Sequence, residues 1–301
     1  MKYHDAVMPD ECIEGLGVSP GGIYVDVTFG GGGHSRRILE RMRESEGKVV
    51  AFDQDEDAAV NAIKDHRFIL IRDNFRNMQE HLQQKSLVPV NGILADLGVS
   101  SHQFDEPTRG FSIRFEHDLD MRMDTGGGKT ALELLNTLQE KELVRIFSSY
   151  GEVKNSKTLA AAIVKARTHN PLSGSGDFRK VIGHLVPKAN ESQYLAQVYQ
   201  ALRIEVNQEL DALKELLSQC ANVLAPGGRL VVMSYHSLED RLVKNFIAKG
   251  NFEGTDEKDM YGNNTGVKFR SLTKKPVVPS VEEVKNNPRS RSAKLRIAEK
   301  L

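Results

Sequence analysis

The sequence lacks any run of about 18 apolar residues, and it has only two cysteines in 301 residues. The missing run excludes a transmembrane helix, and the acidic start MKYHDAVMPDECIEGL lacks the apolar core of a secretion signal. Cys12 and Cys220 are far apart, and no metal-ligand spacing surrounds either of them. We therefore expect two buried thiols, no bound metal and no membrane contact in a cytoplasmic protein.

A net charge is also missing, because 41 Lys and Arg residues balance 41 Asp and Glu residues. The balance hides an asymmetry, since the segment 268–301 contains ten basic residues and three acidic ones. A local excess of positive charge attracts phosphate groups whatever the charge of the whole chain. The segment is therefore either a solvated tail or a nucleic-acid contact.

Strand-like and helix-like runs alternate over the first hundred residues. The runs GIYVDVTF, GKVVAFDQD, RFILIRDNF and VNGILADLG are typical of strands, with helical stretches between them. This alternation predicts an α/β fold with a doubly wound, mostly parallel sheet and helices on both faces. The final segment, with KKPVVPS and RSAKLRIAE, is expected to add an antiparallel hairpin at one edge of the sheet.

The α/β alternation stops after Ser101 and resumes only near residue 198. Helical patterns fill most of the interval, and one of them begins at Thr130 with Glu133 placed to close a capping box. A long helix, the strand RLVVMSYH and the helix SLEDRLVKNFIAKG follow the interval. We predict a discontinuous α/β domain, residues 1–104 and 198–301, interrupted by a mainly helical insertion at 105–197.

Four consecutive glycines follow the first strand in YVDVTFGGGGHSRRILE. Backbone without Cβ atoms can approach a ligand closely, and the next helix offers free N–H groups. A P-loop is excluded because His34-Ser35 stands where Lys-Ser/Thr is required, and Ser35 also spoils the dinucleotide pattern G-x-G-x-x-G. Asp26, inside the strand, suits a methyltransferase, where a carboxylate offsets the positive charge of S-adenosylmethionine. A purely structural turn is the alternative.

Chemically useful side chains also stand at the ends of the next three predicted strands. Asp53 can accept the hydroxyls of a ribose or can cap the turn after it, as Asp55 also can. Phe75 can stack on an adenine or belong to the core, and Asp96 closes the fourth strand. Ligands of such folds bind at the carboxyl ends of the strands. We therefore expect Asp26, Asp53, Phe75 and Asp96 to face one crevice.

Longer motifs extend this pattern to the end of the chain. VDVTFGGGGHSRRIL, AFDQDEDA, DNF, ILADLGVSSHQFD, RGFSIR, LDMRMD, QALRIEVNQEL, GGRLVVMSYHSLEDRLVK and NPRSRSAKLR resemble the bacterial ribosomal RNA small subunit methyltransferase H family. The resemblance runs from Asp26 to the C-terminus. The sequence departs from it in the N-terminal stretch, in NESQYLAQVY, and at Tyr235, where the family has Phe.

The resemblance implies a class I, Rossmann-like methyltransferase domain that uses S-adenosyl-L-methionine, with an inserted helical domain for substrate recognition. The implied reaction is methylation of the exocyclic N4 of a cytidine in the decoding region of 16S rRNA, in the small ribosomal subunit. The implied cofactor-binding residues are Gly32, Gly33, His34, Asp53, Phe75, Asp96 and Gln103. Homodimer formation is left open by the sequence.

Asp96 is the first candidate for a catalytic residue. Many amino-methyltransferases have an acidic residue or Asn followed by Pro-Pro-aromatic after the fourth strand, and this chain has Asp96-Leu97-Gly98-Val99-Ser100 there. The Asp96 carboxylate can hold the cofactor, the target amino group or both. His236, after the next strand, either helps to orient the base or shed its proton, or is an ordinary hydrogen-bonded histidine.

Two groups of cations are expected to hold rRNA phosphates. They are Arg109, Arg114 and Arg122 in the irregular segment after Asp96, and Arg289, Arg291, Lys294 and Arg296 in the tail. Two other functions compete with the methyltransferase. A nicotinamide-dependent oxidoreductase is disfavoured by the glycine spacing and by Asp26, and a non-catalytic RNA-binding assembly factor would keep the fold without the reaction.

Overall fold

The structure is a computed structural model that describes residues 6–43, 46–113, 116–256 and 265–301. No helix within these four ranges is long and apolar enough to cross a membrane.

The chain forms two compact units. The described residues of Met1–Gly98 and Leu210–Leu301 form the first unit, and those of Val99–Glu209 form the second. The domain boundaries expected from the sequence, near residues 105 and 197, stay a prediction.

Twelve α-helices and seven strands occur in the described part of the chain. The helices are α1 (Pro9–Leu16), α2 (Gly33–Met42), α3 (Met78–Gln84), α4 (Ser101–Asp105), α5 (Ala131–Thr137), α6 (Glu140–Ser149), α7 (Ser156–His169), α8 (Ser175–Ile182), α9 (Glu191–Asn207), α10 (Glu209–Val223), α11 (Ser237–Lys249) and α12 (Val281–Asn286). The strands are β1 (Ile23–Asp26), β2 (Lys48–Asp53), β3 (Phe68–Arg72), β4 (Val90–Asp96), β5 (Leu224–Ser234), β6 (Phe269–Ser271) and β7 (Lys294–Lys300). Short 3-10 helices include Glu56–Asn61, Phe75–Asn77 and Pro288–Ser292.

One sheet forms the centre of the first unit, in the strand order β3-β2-β1-β4-β5-β7-β6. β1 to β5 are parallel, β7 runs antiparallel to β5, and β6 runs antiparallel to β7. The order reverses at β1 and β4, which is where ligands bind in doubly wound sheets. The predicted α/β class and the mostly parallel sheet are confirmed. The tail adds two antiparallel strands, but the strand that pairs with β7 is Phe269–Ser271, and in KKPVVPS only Val277 makes a bridge, to Leu295.

Alternating strand residues bury both faces of this sheet, because successive side chains of a strand point to opposite faces. Val25 and Ile93 belong to a core cluster with residues of α3, α10 and α11. Their neighbours Tyr24 and Leu94 belong to a second cluster with residues of α1 and α2. The unit therefore has helices on both sides of the sheet, and its strand ends are left to carry polar groups.

The second unit is helical and has a core of its own. Its buried residues come from α5 to α9 and from the segment before α5, with Leu135, Phe147 and Leu202 fully buried. The predicted capping box starts α5, since Thr130 Oγ1 accepts from the Glu133 N–H at 3.1 Å and Glu133 Oε2 accepts from the Thr130 N–H at 2.8 Å. The mainly helical character expected for this part of the chain is confirmed.

Candidate functional site

The glycine loop connects the end of β1 to the start of α2. Gly30 and Gly32 have positive φ angles of 50° and 75°, which residues with a Cβ rarely adopt. A Cβ on Gly32 would lie 2.8 Å from the ring of Phe29, and one on Gly33 would lie 2.9 Å from the Cβ of Ala6. The loop therefore needs glycine for its turn and for close packing, and α2 begins at Gly33 with its N–H groups at this end of the sheet.

Asp26, the last residue of β1, makes hydrogen bonds to residues on both sides of the glycine loop. Its carboxylate is fully buried, and it accepts from Ser35 Oγ at 2.7 Å and from the Thr28 N–H at 3.2 Å. Burial raises the pKa of Asp26, although His34 and the two hydrogen bonds act in the opposite direction. Ser35, which spoils the dinucleotide pattern, thus has a definite role as the partner of the β1 carboxylate.

Asp53, at the end of β2, is joined to the same loop. Asp53 Oδ2 accepts from the Gly30 N–H at 2.7 Å, and Oδ1 accepts from the Asp55 N–H at 2.9 Å. Burial raises the pKa of Asp53 to about 6 against these two hydrogen bonds. The cap of the following 3-10 helix is Asp55, whose side chain accepts from the Asp57 N–H. Asp53 thus closes the turn that leads into the helix, whereas the cap of the helix itself is Asp55.

Phe75 lies just after β3, as the first residue of a 3-10 helix capped by Asn74. Its ring is half-buried and packs partly against the larger core cluster of the sheet. The Asn74 amide donates to Gln54 Oε1 at 2.7 Å, which ties the end of β3 to the end of β2. One side of the ring thus belongs to the core, and the stacking role expected for it stays a prediction.

Asp96 is the last residue of β4, and its carboxylate lies beside side chains that follow the two neighbouring strands, β1 and β5. The Tyr235 hydroxyl donates to Asp96 Oδ1 at 2.7 Å, and His34 Nε2 lies 3.5 Å from Oδ2. The Asp96 N–H donates to Thr28 Oγ1 at 2.7 Å. Asp96 thereby connects the ends of β1, β4 and β5.

His34 is 5% exposed, and neither of its ring nitrogens has a hydrogen-bond partner among the described residues. Burial lowers the pKa of His34, but the Asp96 and Asp26 carboxylates outweigh burial and raise it. Most buried side-chain polar atoms have a hydrogen-bond partner, so His34, whose Nε2 lies 3.5 Å from Asp96, retains capacity for a further polar group.

Side-chain contacts thus run along the carboxyl edge of the sheet, from β3 through β2, β1 and β4 to β5. The sequence placed Asp26, Asp53, Phe75 and Asp96 at this edge, and the structure places them there. The contact between Tyr235 and Asp96 was not predicted from the sequence. The available signal was an aromatic hydroxyl directly after the strand that pairs with β4.

Gln103 and His236 make local contacts at helix starts. Gln103, in the second unit, is buried, and its Oε1 accepts from the Ser100 N–H at 3.0 Å in the capping box of α4. His236 caps α11, with Nδ1 accepting from the Glu239 N–H at 3.5 Å and Nε2 lying 3.2 Å from Glu239 Oε1. His236 is thus a hydrogen-bonded residue at a strand end, as one of its two interpretations expected.

The cations expected to hold phosphates differ in their surroundings. Arg109 is buried and donates to the main-chain carbonyls of Arg122 and Met123 at 3.1 and 3.0 Å, so the phosphate contact predicted for it is wrong. Arg122 makes a bidentate pair with Asp120, with both contacts at 2.8 Å. Arg114 lies outside the described residues.

In the tail, Arg296 donates to both carboxylate oxygens of Asp240, at 2.6 and 3.2 Å. Lys294 Nζ is 3.8 Å from the same carboxylate. Arg289 and Arg291 are exposed in the 3-10 helix that precedes β7. Their side chains are therefore accessible to solvent, and whether they meet a phosphate stays a prediction.

A doubly wound sheet with a glycine loop and carboxylates at successive strand ends defines the class of nucleotide-cofactor domains to which methyltransferases belong. The family model described as the MraW methylase family matches residues 1–301. The chain is 53% identical over 301 residues to ribosomal RNA small subunit methyltransferase H of Flavobacterium johnsoniae, covering 100% of this chain and 99% of that one. It is 52% identical over 300 residues to the protein of the same name from Bacteroides thetaiotaomicron, covering 100% and 98%.

The chain belongs to the MraW methylase family. A solved rRNA methylase from Streptococcus thermophilus aligns over 97% of this chain and 93% of that one, with 15% sequence identity and a TM-score of 0.41. Family membership confirms the resemblance found in the sequence, the methyltransferase class and its cofactor, S-adenosyl-L-methionine. The roles of the individual site residues stay predictions.

Proposed function

We propose that this protein methylates the exocyclic N4 of a cytidine in the decoding region of 16S rRNA, within the small ribosomal subunit, with S-adenosylmethionine as the donor. The observation that carries the proposal is the joined carboxyl edge of the sheet, where Asp96 lies between His34 and Tyr235 beside the glycine loop. Relatives that match over their whole length are named for methylation of small subunit rRNA. The sequence motifs support the cytidine N4 position.

The residues at this edge fit S-adenosylmethionine. Gly32 and Gly33 bring the backbone and the start of α2 to the place where the methionine end would lie. The hydrogen-bonding capacity left on His34 suits a polar ligand group there. Asp53 uses one lone pair of each oxygen on a backbone N–H, which leaves acceptors for two ribose hydroxyls. Phe75 adds an aromatic surface for the adenine. The role of Gln103, in the second unit, is implied by the family resemblance alone and stays a prediction.

Asp96 is the proposed catalytic residue. The cytosine amino group is a poor nucleophile because its lone pair is delocalised into the ring. A carboxylate oxygen that accepts a hydrogen bond from this amino group favours a pyramidal nitrogen and fixes its direction. When bound, the cofactor supplies an activated methyl group on a cationic sulfur. Since that group is already activated, orientation by Asp96 can account for much of the acceleration, about 7–11 kcal/mol in model systems.

The exposed tail cations support an RNA substrate. In the antiparallel register, Lys294 at the start of β7 pairs with Ser234 at the end of β5. The helix that contains Arg289 and Arg291 immediately precedes β7, so these residues belong to the edge of the sheet at which Asp96 lies. We propose that they hold rRNA phosphates in a cytoplasmic enzyme. Homodimer formation stays an untested prediction.

The deciding experiment is methyl transfer to small ribosomal subunits that lack the modification. Wild-type protein with S-adenosylmethionine should give N4-methylcytidine, identified by mass spectrometry of the nucleosides, and Asp96→Asn should give at least about tenfold less because one carboxylate acceptor is lost. Asp105→Asn, in the second unit, is the matched control and should leave the yield unchanged. A different methylated nucleoside would refute the N4 position, and absence of any methyl transfer by wild-type protein would favour the assembly-factor function. A thermal shift with NAD rather than S-adenosylmethionine would indicate the oxidoreductase.

A further inference from the structure

The phenol of Tyr235 reaches Asp96 from the neighbouring strand. Tyr235 directly follows β5, and Asp96, the last residue of β4, pairs with Met233 of β5 in the parallel register. The Tyr235 hydroxyl donates to Asp96 Oδ1 at 2.7 Å, the length of a strong hydrogen bond to a carboxylate. The bond joins residues 139 positions apart in the sequence, so it depends on the folded sheet.

Tyr235 is itself held in place at its backbone and at its ring. Its N–H donates to Glu239 Oε2 at 2.9 Å, within the capping box that starts α11. Its ring packs against the core cluster that contains Leu94 and Met233. The hydroxyl therefore meets Asp96 from a fixed direction, and a supporting residue held this way can fix the rotamer of the group it contacts.

The hydroxyl is a donor in this bond. Burial first, and then the charge of Asp96, raise the pKa of Tyr235 well above its usual value. The phenol therefore keeps its proton at any pH where the enzyme would work, and it cannot take a proton from a substrate. The hydroxyl engages Oδ1 of Asp96. The other oxygen, Oδ2, lies 3.5 Å from His34 Nε2.

We propose that Tyr235 is a positioning residue for methyl transfer, whose hydroxyl holds Asp96 so that Oδ2, beside His34, is presented to the cofactor and the target amino group. The inference rests on the proposed function, in which Asp96 lies at the centre of the reaction. Tyr235 acts through Asp96 and does not itself touch the reacting atoms.

Tyr235→Phe tests the proposal because it removes the hydroxyl alone. We expect kcat on unmodified small subunits to fall about tenfold with KM for the subunits unchanged, and the Kd of S-adenosylmethionine to rise about threefold or more, as for one lost bond to a carboxylate. In an Asp96→Asn background, the same substitution should change kcat and Kd by less than about twofold, because the carboxylate it positions is gone.

Tyr24→Phe is the matched control, since it removes another buried phenol hydroxyl, which accepts from the Ser19 N–H at 2.8 Å. This variant should lower Tm and leave kcat and Kd unchanged. The proposal is overturned if Tyr235→Phe leaves both constants within about twofold of wild type, or if its effect is equally large in the Asp96→Asn background. If the wild-type protein makes no N4-methylcytidine, the proposed function fails, whereas the affinity measurements need no RNA and still decide the role of Tyr235.

Discussion

Asp53→Asn should remove the pH dependence of S-adenosylmethionine binding between pH 5 and pH 7.5. Burial raises the pKa of Asp53 to about 6. Ribose hydroxyls donate to the charged carboxylate, so binding requires Asp53 to lose its proton. At pH 5 about one Asp53 in ten is charged, so the Kd for wild-type protein should rise about tenfold relative to pH 7.5, equal to about 1.4 kcal/mol.

Isothermal titration calorimetry at both pH values, with matched ionic strength and two buffers of different ionisation enthalpy, measures the Kd and the protons released. Asp53→Asn should bind S-adenosylmethionine more weakly at pH 7.5, and its Kd should not show the tenfold rise at pH 5. Asp57→Asn changes an exposed carboxylate of the same loop and should keep the tenfold rise. A wild-type Kd that is flat with pH, or an equal rise in Asp53→Asn, refutes the assignment of Asp53 to the ribose.

The raised pKa of Asp53 has the opposite effect on the stability of the cofactor-free protein, to which Asp53 should contribute less as the pH rises. The folded protein binds the Asp53 proton more tightly than the unfolded chain, whose carboxyl keeps the ordinary value of 3.8. The contribution of Asp53 to stability is therefore greatest below about pH 4 and is lost as the pH rises through about 6, by roughly 3 kcal/mol in all. Urea unfolding should show the stability of wild type, relative to Asp53→Asn, falling by about 2 kcal/mol from pH 4.5 to pH 7.5. A constant difference contradicts burial as the cause.

Three further outcomes follow from the same site. Gly32→Ala should destabilise the protein by about 1–2 kcal/mol because of the left-handed backbone at this position, and by more because the new Cβ would clash with the Phe29 ring. The control Gly127→Ala has open space around it and should leave thermal unfolding unchanged. Ser35→Ala leaves the buried β1 carboxylate short of a 2.7 Å hydrogen bond, and urea unfolding should show a loss of about 1–3 kcal/mol. Replacing both Arg289 and Arg291 by Gln should lower the salt slope of small-subunit binding by about 1.5, and an unchanged slope excludes phosphate contacts there.

The sheet and its polar edge could be predicted because their signals are local. Each strand is a short β-rich run with a turn or a charged residue after it, and parallel topology gathers the ends of such runs at one edge. Asp26, Asp53, Phe75 and Asp96 are predicted by that rule alone, without any knowledge of a partner. The capping box of Thr130 and Glu133 is equally local, since its two residues are three positions apart.

The contacts that define the geometry of the site are not local, so the sequence does not show which side chains meet. The hydrogen bond from Tyr235 to Asp96 requires the register of β4 against β5, which depends on packing of the whole core. Arg109 was expected at a phosphate because it is a cation near Asp96, but burial gives it carbonyl oxygens as acceptors instead. Charge could be read from the sequence, whereas burial at that position could not.

The basic tail shows the same distinction between the charge of a segment and the charge that is available to a partner. Antiparallel β7 packs beside β5, and this brings Arg296 to Asp240 and places Arg270 against Glu299 across β6 and β7. Cations engaged in this way contribute less to attraction at a distance, because the field of each is offset by a neighbouring carboxylate. The exposed positions Arg289 and Arg291 come immediately before β7, whose first residue pairs with the end of β5. Arg289 and Arg291 therefore lie near the edge of the sheet where Asp96 lies, which is where we propose that an RNA substrate is held while its base meets the methyl donor.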